Sequence, residues 1–198
     1  MRSKRIGSGI IVVALGMLTT LPSGALPAHD LVRNPGFEGA FSGPVSFTGP
    51  GGGPVAASNW IGFNNGGGTT TTEVVPSTAP NGGVNMIHVT TENGSSGLVQ
   101  TGITAAPNTG VPRGVVQAAV YVVSGGVQVC FGPLGHPPCQ AFSHGTGHWE
   151  RISGPIKPPA DHAGHDPSEV NHEIVIYSLG ASPAEFYVDN VSVVSASI

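Results

Sequence analysis

A succession of short β-type runs, each closed by Gly, Pro, Asn or Ser, decides what this chain can become. The runs cover residues 59–63, 70–75, 85–91, 97–101, 115–123, 127–131, 140–142, 149–152, 173–178 and 185–194. Helical periodicity is missing from all of them, which excludes a coiled coil or helical bundle. Strands this short, with turn residues between them at sandwich spacing, predict two packed antiparallel sheets. Gly (31) and Pro (18) make up about a quarter of the 198 residues, a level that can signal disorder. Disorder, however, goes with high charge and few β-branched residues. Here only 9% of residues are charged, and Val, Ile and Thr are plentiful. The run 115–123 is long and nearly all apolar, so it is expected as a central strand buried on both sides. Residues 42–54 and 157–168 read as loops.

The first residues read as an export signal. Arg2, Lys4 and Arg5 precede an apolar stretch over 6–21, then Pro22 and the small residues Ser23, Gly24 and Ala25. That is the order of a secretory signal peptide, with cleavage after Ala25 or, alternatively, after Ala28. The apolar stretch is short for a membrane span, and no Cys follows it to carry a lipid. The expected product is secreted, extracellular and free of the membrane, with residues 29–198 forming a single β-sandwich domain. Removing residues 1–28 leaves Arg33, Arg113, Arg151 and Lys157 against 11 acids, a net charge of −7. So few cations cannot build a phosphate-binding face, which excludes nucleic acid as a partner. In an oxidising compartment Cys130 and Cys139, the whole thiol inventory, read as one disulfide closing a turn-rich loop.

Motifs stand at both ends of the chain. Asn34-Pro35-Gly36-Phe37-Glu38-Gly39 comes first, and Asn59-Trp60 follows. Ala79-Pro80-Asn81-Gly82-Gly83 then leads into residues 84–89, with Leu98-Val99-Gln100 beyond. Phe186-Tyr187-Val188-Asp189-Asn190-Val191 closes the chain. Their order and spacing resemble the galactose-binding-like jelly rolls, in particular carbohydrate-binding modules of the family 4/9/22 type. The resemblance implies an all-β jelly-roll sandwich and a carbohydrate or cell-surface glycan as partner. Glu38 and Asp189 belong to segments that lie close together in such a roll, and two carboxylates brought together repel unless something neutralises them. A hard divalent cation with oxygen ligands does so, and the resemblance implies a structural Ca²⁺ at these residues. The alternative is that Asp189 caps a turn while Glu38 is solvated or pairs with Arg33.

Sugar recognition needs flat aromatic faces for the apolar side of a ring, and planar amides or carboxylates for its hydroxyls. The candidates are Trp60, Gln117, Tyr121, Gln128 and Tyr177, with His172 beside them. The two-residue period puts Gln117 and Tyr121 on one face of a strand, and Gln128 and Tyr177 are expected to join them on a concave side. The simpler role for Trp60 and for Trp149 is packing. His136, His144, His148, His162, His165 and His172 cluster in the second half, with Asp161 and Asp166. These residue types suit Zn²⁺ or Cu²⁺, but their spacing matches no fixed-geometry site. No nucleophile elbow or free thiol nucleophile is present, and nothing selects Glu150, Glu169 and Glu173 as a catalytic carboxylate pair. The reading is a non-catalytic binding module. Its rivals are a small secreted glycan hydrolase and an exported structural or adhesive protein that binds another protein.

Overall fold

The computed structural model describes residues 29–38, 43–65, 67–104, 114–135, 137–156, 171–180 and 183–195. The signal segment, both of its cleavage sites, and His136, Asp161, His162, His165, Asp166 and Glu169 lie outside the described residues.

The described strands are β1 (His29–Asp30), β2 (Val45–Thr48), β3 (Gly51–Gly53), β4 (Ile61–Asn64), β5 (Thr69–Pro76), β6 (Asn85–Thr91) and β7 (Ser96–Thr104). They continue with β8 (Gly114–Ser124), β9 (Val127–Pro133), β10 (Cys139–Phe142), β11 (Trp149–Pro155), β12 (Asn171–Ser178) and β13 (Ala184–Ser195). Two antiparallel sheets form a jelly-roll sandwich. One has seven strands in the order β11-β8-β13-β6-β5-β2, with β1 added on β13; the other has six, ordered β10-β9-β12-β7-β4-β3.

Between the sheets lies one apolar core. β8 contributes Val116, Ala118, Val120 and Val122, β13 contributes Phe186 and Val188, and β9 and β12 contribute Val127, Val129, Phe131, Ile174 and Ile176. Each large side chain removed from water here stabilises the fold by roughly 1.5–3 kcal/mol. The expectation that 115–123 is buried on both sides is corrected. Every second residue of β8 faces solvent or is half-buried, because no strand or helix among the described residues covers the outer face of the seven-stranded sheet. The loop expected over 42–54 is corrected too, since it contains β2 and β3. The ring of Phe47 lies against Gly53 and Gly62, where a Cβ would collide with it. Glycine therefore reads there as close packing rather than as a turn.

The N-terminal segment is pinned by a buried amide. Gln100 accepts from the Arg33 backbone N–H and donates to the Arg33 carbonyl, each at 2.8 Å. Asn34 and Phe37 adopt left-handed backbone angles (φ 51° and 57°), and the tight turn between them drives Phe37 into the core. There its ring meets Trp60 at 5.4 Å between centroids. The Trp60 indole N–H donates to the Asn34 carbonyl at 3.2 Å, and only 4% of the residue is exposed. This corrects Trp60 as a ligand residue: a ring sealed between the N-terminal turn and the core has no face for a sugar.

Candidate functional site

Two rows of side chains cross the outer face of the six-stranded sheet. The strand registers align Phe142, Gln128, Tyr177, Gly97 and Phe63 in one row. Cys139, Cys130, Val175, Val99 and Ile61 form the row beside it. Val99, Cys130 and Val175 are buried and form a small apolar floor, on which Phe63, Cys139 and Tyr177 pack. Ile61 and Phe142 are 46% and 41% exposed on the same face. Exposed apolar side chains thus stand at either end of a half-buried apolar face, on β4 and β10.

Glycine at position 97 lets the two rings meet. A Cβ there would collide with the Ile176 carbonyl, and without one Phe63 and Tyr177 approach edge to face at 5.7 Å. The Tyr177 hydroxyl donates to the sulfur of Cys139 at 3.5 Å, and Cys139 is joined to Cys130 in a disulfide. Burial pushes the Tyr177 phenol above its usual pKa. Across the strand pair from Tyr177 stands Gln128, whose side-chain amide has no hydrogen-bond partner among the described residues. An aromatic face beside an uncommitted amide is the pairing that a sugar ring needs.

The expected site does not come together as one. Gln128 and Tyr177 are cross-strand neighbours on this face. Gln117 and Tyr121 lie on β8, on the outer face of the other sheet, so the whole sandwich separates the two pairs. Gln117 is engaged there, accepting from Arg151 at 3.0 Å and donating to Ser192 at 2.6 Å. Period-2 reasoning places residues on one face of a strand but does not say to which sheet that strand belongs. Val99 and Phe142 were missed for the same reason; the signal that could have found them is the outward register they share with Tyr177.

Glu38 and Asp189, by contrast, are brought together. Both carboxylates lie 3.6 Å from the Cβ position of Gly36. Glu38 Oε1 accepts from the Val84 and Asn85 backbone N–H groups at 2.7 and 3.1 Å. Asp189 is fully buried and accepts from the Ser77 hydroxyl at 2.6 Å and from the Asn190 N–H at 2.7 Å. Burial raises the Asp189 pKa; these two hydrogen bonds pull it down, and the Glu38 charge adds to the rise. A Cβ on Gly82 would fall among Asp189 Oδ2, Ser77 Oγ and, at 3.0 Å, the Ala79 carbonyl oxygen; one on Gly83 would strike Glu38 Oε1. Convergent oxygens of this kind, two of them anionic, are the donor set that suits a hard cation.

The histidines among the described residues do not converge. His144 pairs with Glu150 at 3.1 Å, His148 faces the Thr146 carbonyl at 3.1 Å, and His172 stacks on Phe131. Among the described residues no group of three or more His, Cys, Asp or Glu side chains is placed to hold a metal.

No protein-family model matches the chain, and no curated protein sequence matches it. Solved structures do match. The xylan-binding family 22 carbohydrate-binding module of Paenibacillus barcinonensis Xyn10C aligns with a TM-score of 0.52 at 12% identity, covering 86% of this chain and 97% of that one. The enzymatically active domain of bacteriophage CBA120 tailspike protein 4 aligns with a TM-score of 0.50 at 11% identity, over 83% of this chain but 21% of that one. A family 61 module in complex with β-1,4-galactotriose gives 0.49 at 15% identity, over 84% and 99% of the two chains. The chain is a β-sandwich of the carbohydrate-binding-module type.

Proposed function

We propose that this chain is a secreted, non-catalytic carbohydrate-binding module that holds a glycan on the outer face of its six-stranded sheet. The observation that carries the reading is the row Phe142, Gln128, Tyr177 and Phe63, which sets one exposed ring and two half-buried rings beside an uncommitted amide. The fold it shares with a xylan-binding module adds support. An open row across several strands suits an extended glycan chain rather than a small enclosed ligand. Ca²⁺ is proposed as a structural ion, held by Glu38, Asp189 and the Ala79 carbonyl. Bound there, it would supply the positive charge that lets both carboxylates stay ionised where the first and last segments meet.

Affinity electrophoresis of the mature chain against xylan, β-1,4-galactan and mixed-linked β-glucan, with and without chelator, tests the reading. Retardation that Tyr177→Ala and Gln128→Ala each weaken is the expected result. A second reading is glycan hydrolysis; the similar tailspike domain is enzymatically active, although this chain covers only 21% of it. Release of reducing ends from any of these polymers would favour it and overturn the non-catalytic assignment.

A further inference from the structure

Three of the five Trp and Tyr residues in the chain stand in one line on the outer face of the seven-stranded sheet, opposite the proposed glycan face. Trp149 of β11 is in register with Tyr121 of β8, Tyr121 with Tyr187 of β13, and Tyr187 with His88 of β6. Three strand steps make this row roughly 14 Å long. Centroids are 5.8 Å apart for Trp149–Tyr121 and 6.1 Å for Tyr121–Tyr187, at interplanar angles of 61° and 76°. His88 stacks on Tyr187 at 4.3 Å. Rings inclined in this way form a shallow, open concavity. With Val75, Pro76, Thr78 and Met86, the rings of Trp149, Tyr121 and Tyr187 line a pocket of about 480 Å³, within the usual range for small-ligand sites.

Packing explains why the rings touch each other, since edge-to-face pairs attract. It does not explain why they crowd into one row of an outer face. Elsewhere on that face the same strands carry Ala119, Gln117, Arg151 and Ser192. The chemistry of the pocket narrows what can enter it. No formally charged side chain lines it. At its His88 end stand Glu185, paired with His88 at 3.0 Å, and Glu73, in register with His88. Acids at that end and an overall negative chain disfavour an anion. A hydrocarbon chain would leave polar groups unused. Thr78 accepts from the Trp149 indole N–H at 3.3 Å, and the Tyr121 and Tyr187 hydroxyls have no hydrogen-bond partner among the described residues. A neutral ring with an apolar C–H face and peripheral hydroxyls matches both features.

We propose that this pocket is a second, independent binding site for a short stretch of neutral glycan, so that the chain is bivalent. Its two sites face opposite ways, so a single extended glycan strand cannot fill both, and the module would bridge two strands. The inference borrows only the ligand class from the proposed function; the residues are different.

The test titrates the mature chain with neutral oligosaccharides of xylan, β-1,4-galactan, mixed-linked β-glucan, mannan and chitin, reading stoichiometry and Trp fluorescence. Because Trp60 is buried, the fluorescence change reports on Trp149. At ligand concentrations a few times the wild-type Kd, about two bound ligands per chain are expected for the wild type and about one each for Trp149→Ala and Tyr177→Ala. Each change should weaken its own site on the order of tenfold, the loss of one stacked face. Trp149→Phe, which keeps a ring, should retain most of the binding, and melting curves identify any variant that fails to fold. Precipitation of polysaccharide by the wild type should disappear in both alanine variants. Unchanged stoichiometry in both Trp149→Ala and Tyr121→Ala would overturn the inference, and if Tyr177→Ala then abolishes binding the proposed function stands. The reverse pattern overturns the face assigned there and supports this pocket. Binding to none of the probes overturns both. A Trp149 response to choline chloride but to no sugar would overturn the neutral-glycan assignment.

Discussion

Thr70 and Thr91 are cross-strand partners on β5 and β6 with their side chains in the interior, and neither hydroxyl finds a hydrogen-bond partner among the described residues. A buried hydroxyl left unpaired costs free energy, and an apolar group of the same shape removes that cost. Thr70→Val and Thr91→Val should therefore each raise stability by about 1 kcal/mol, measured by urea unfolding at an unchanged m-value. Destabilisation by either change would show that its hydroxyl is satisfied in solution. Tyr177 offers a pH test at the same scale. Burial lifts its phenol above the ordinary value of 10.0, so folding favours the neutral form. Its contribution to stability is complete below the ordinary tyrosine pKa and is lost as pH rises through the raised folded value. Ultraviolet titration should find Tyr177 ionising above the ordinary tyrosine range, and Tyr177→Phe should remove that step together with its share of alkaline destabilisation. A step missing from the variant but lying at or below the ordinary value would contradict the burial.

β10 is a four-residue edge strand fixed to β9 by the Cys130–Cys139 bridge. Reducing that bridge releases a loop of about ten residues, worth roughly 2.5–3 kcal/mol of chain entropy. Reduction should lower the melting temperature and expose the Tyr177 hydroxyl, which donates to Cys139 Sγ. Mass analysis finding two free thiols in non-reduced exported protein would remove the premise. Strand positions were largely legible at this scale: residues 85–91 match β6 end to end, and 185–194 lies within β13. The Gly51–Gly53 strand was not, because its β character comes from Phe47 packing over glycine and from pairing with β4, neither of which leaves a local signature. The site was half legible. Glu38 with Asp189, and Gln128 with Tyr177, were paired from the sequence. Trp60 took the packing role named as its alternative, sealed by the N-terminal turn, and the β8 residues were misplaced, because the chain's crossings between sheets decide which faces coincide.

For the whole molecule, the proposed Ca²⁺ would bind only the folded chain, so mass action raises stability by about 2.7 kcal/mol at a hundredfold excess over Kd. That is on the order of 5 °C or more in melting temperature for a domain of this size. EDTA should lower the wild-type melting temperature by that amount. Asp189→Asn, which leaves one carboxylate instead of two, should be indifferent to EDTA and damage the fold less than chelation of the wild type does. Equal wild-type melting in EDTA and in millimolar Ca²⁺ would refute the ion. The segment over 77–83 gives this ion a reach beyond stability. Ser77 holds Asp189, Gly82 and Gly83 close around both carboxylates, and between them Thr78 holds the Trp149 indole at the wall of the aromatic pocket. One short loop would thus belong to both proposed binding equilibria at once. Linkage then requires reciprocity: whatever factor Ca²⁺ adds to the affinity of the Trp149 pocket, a sugar bound there adds to the affinity for Ca²⁺. A module built in this way would loosen its second grip on glycan wherever calcium runs short, while the Tyr177 face, on the far sheet, would hold on.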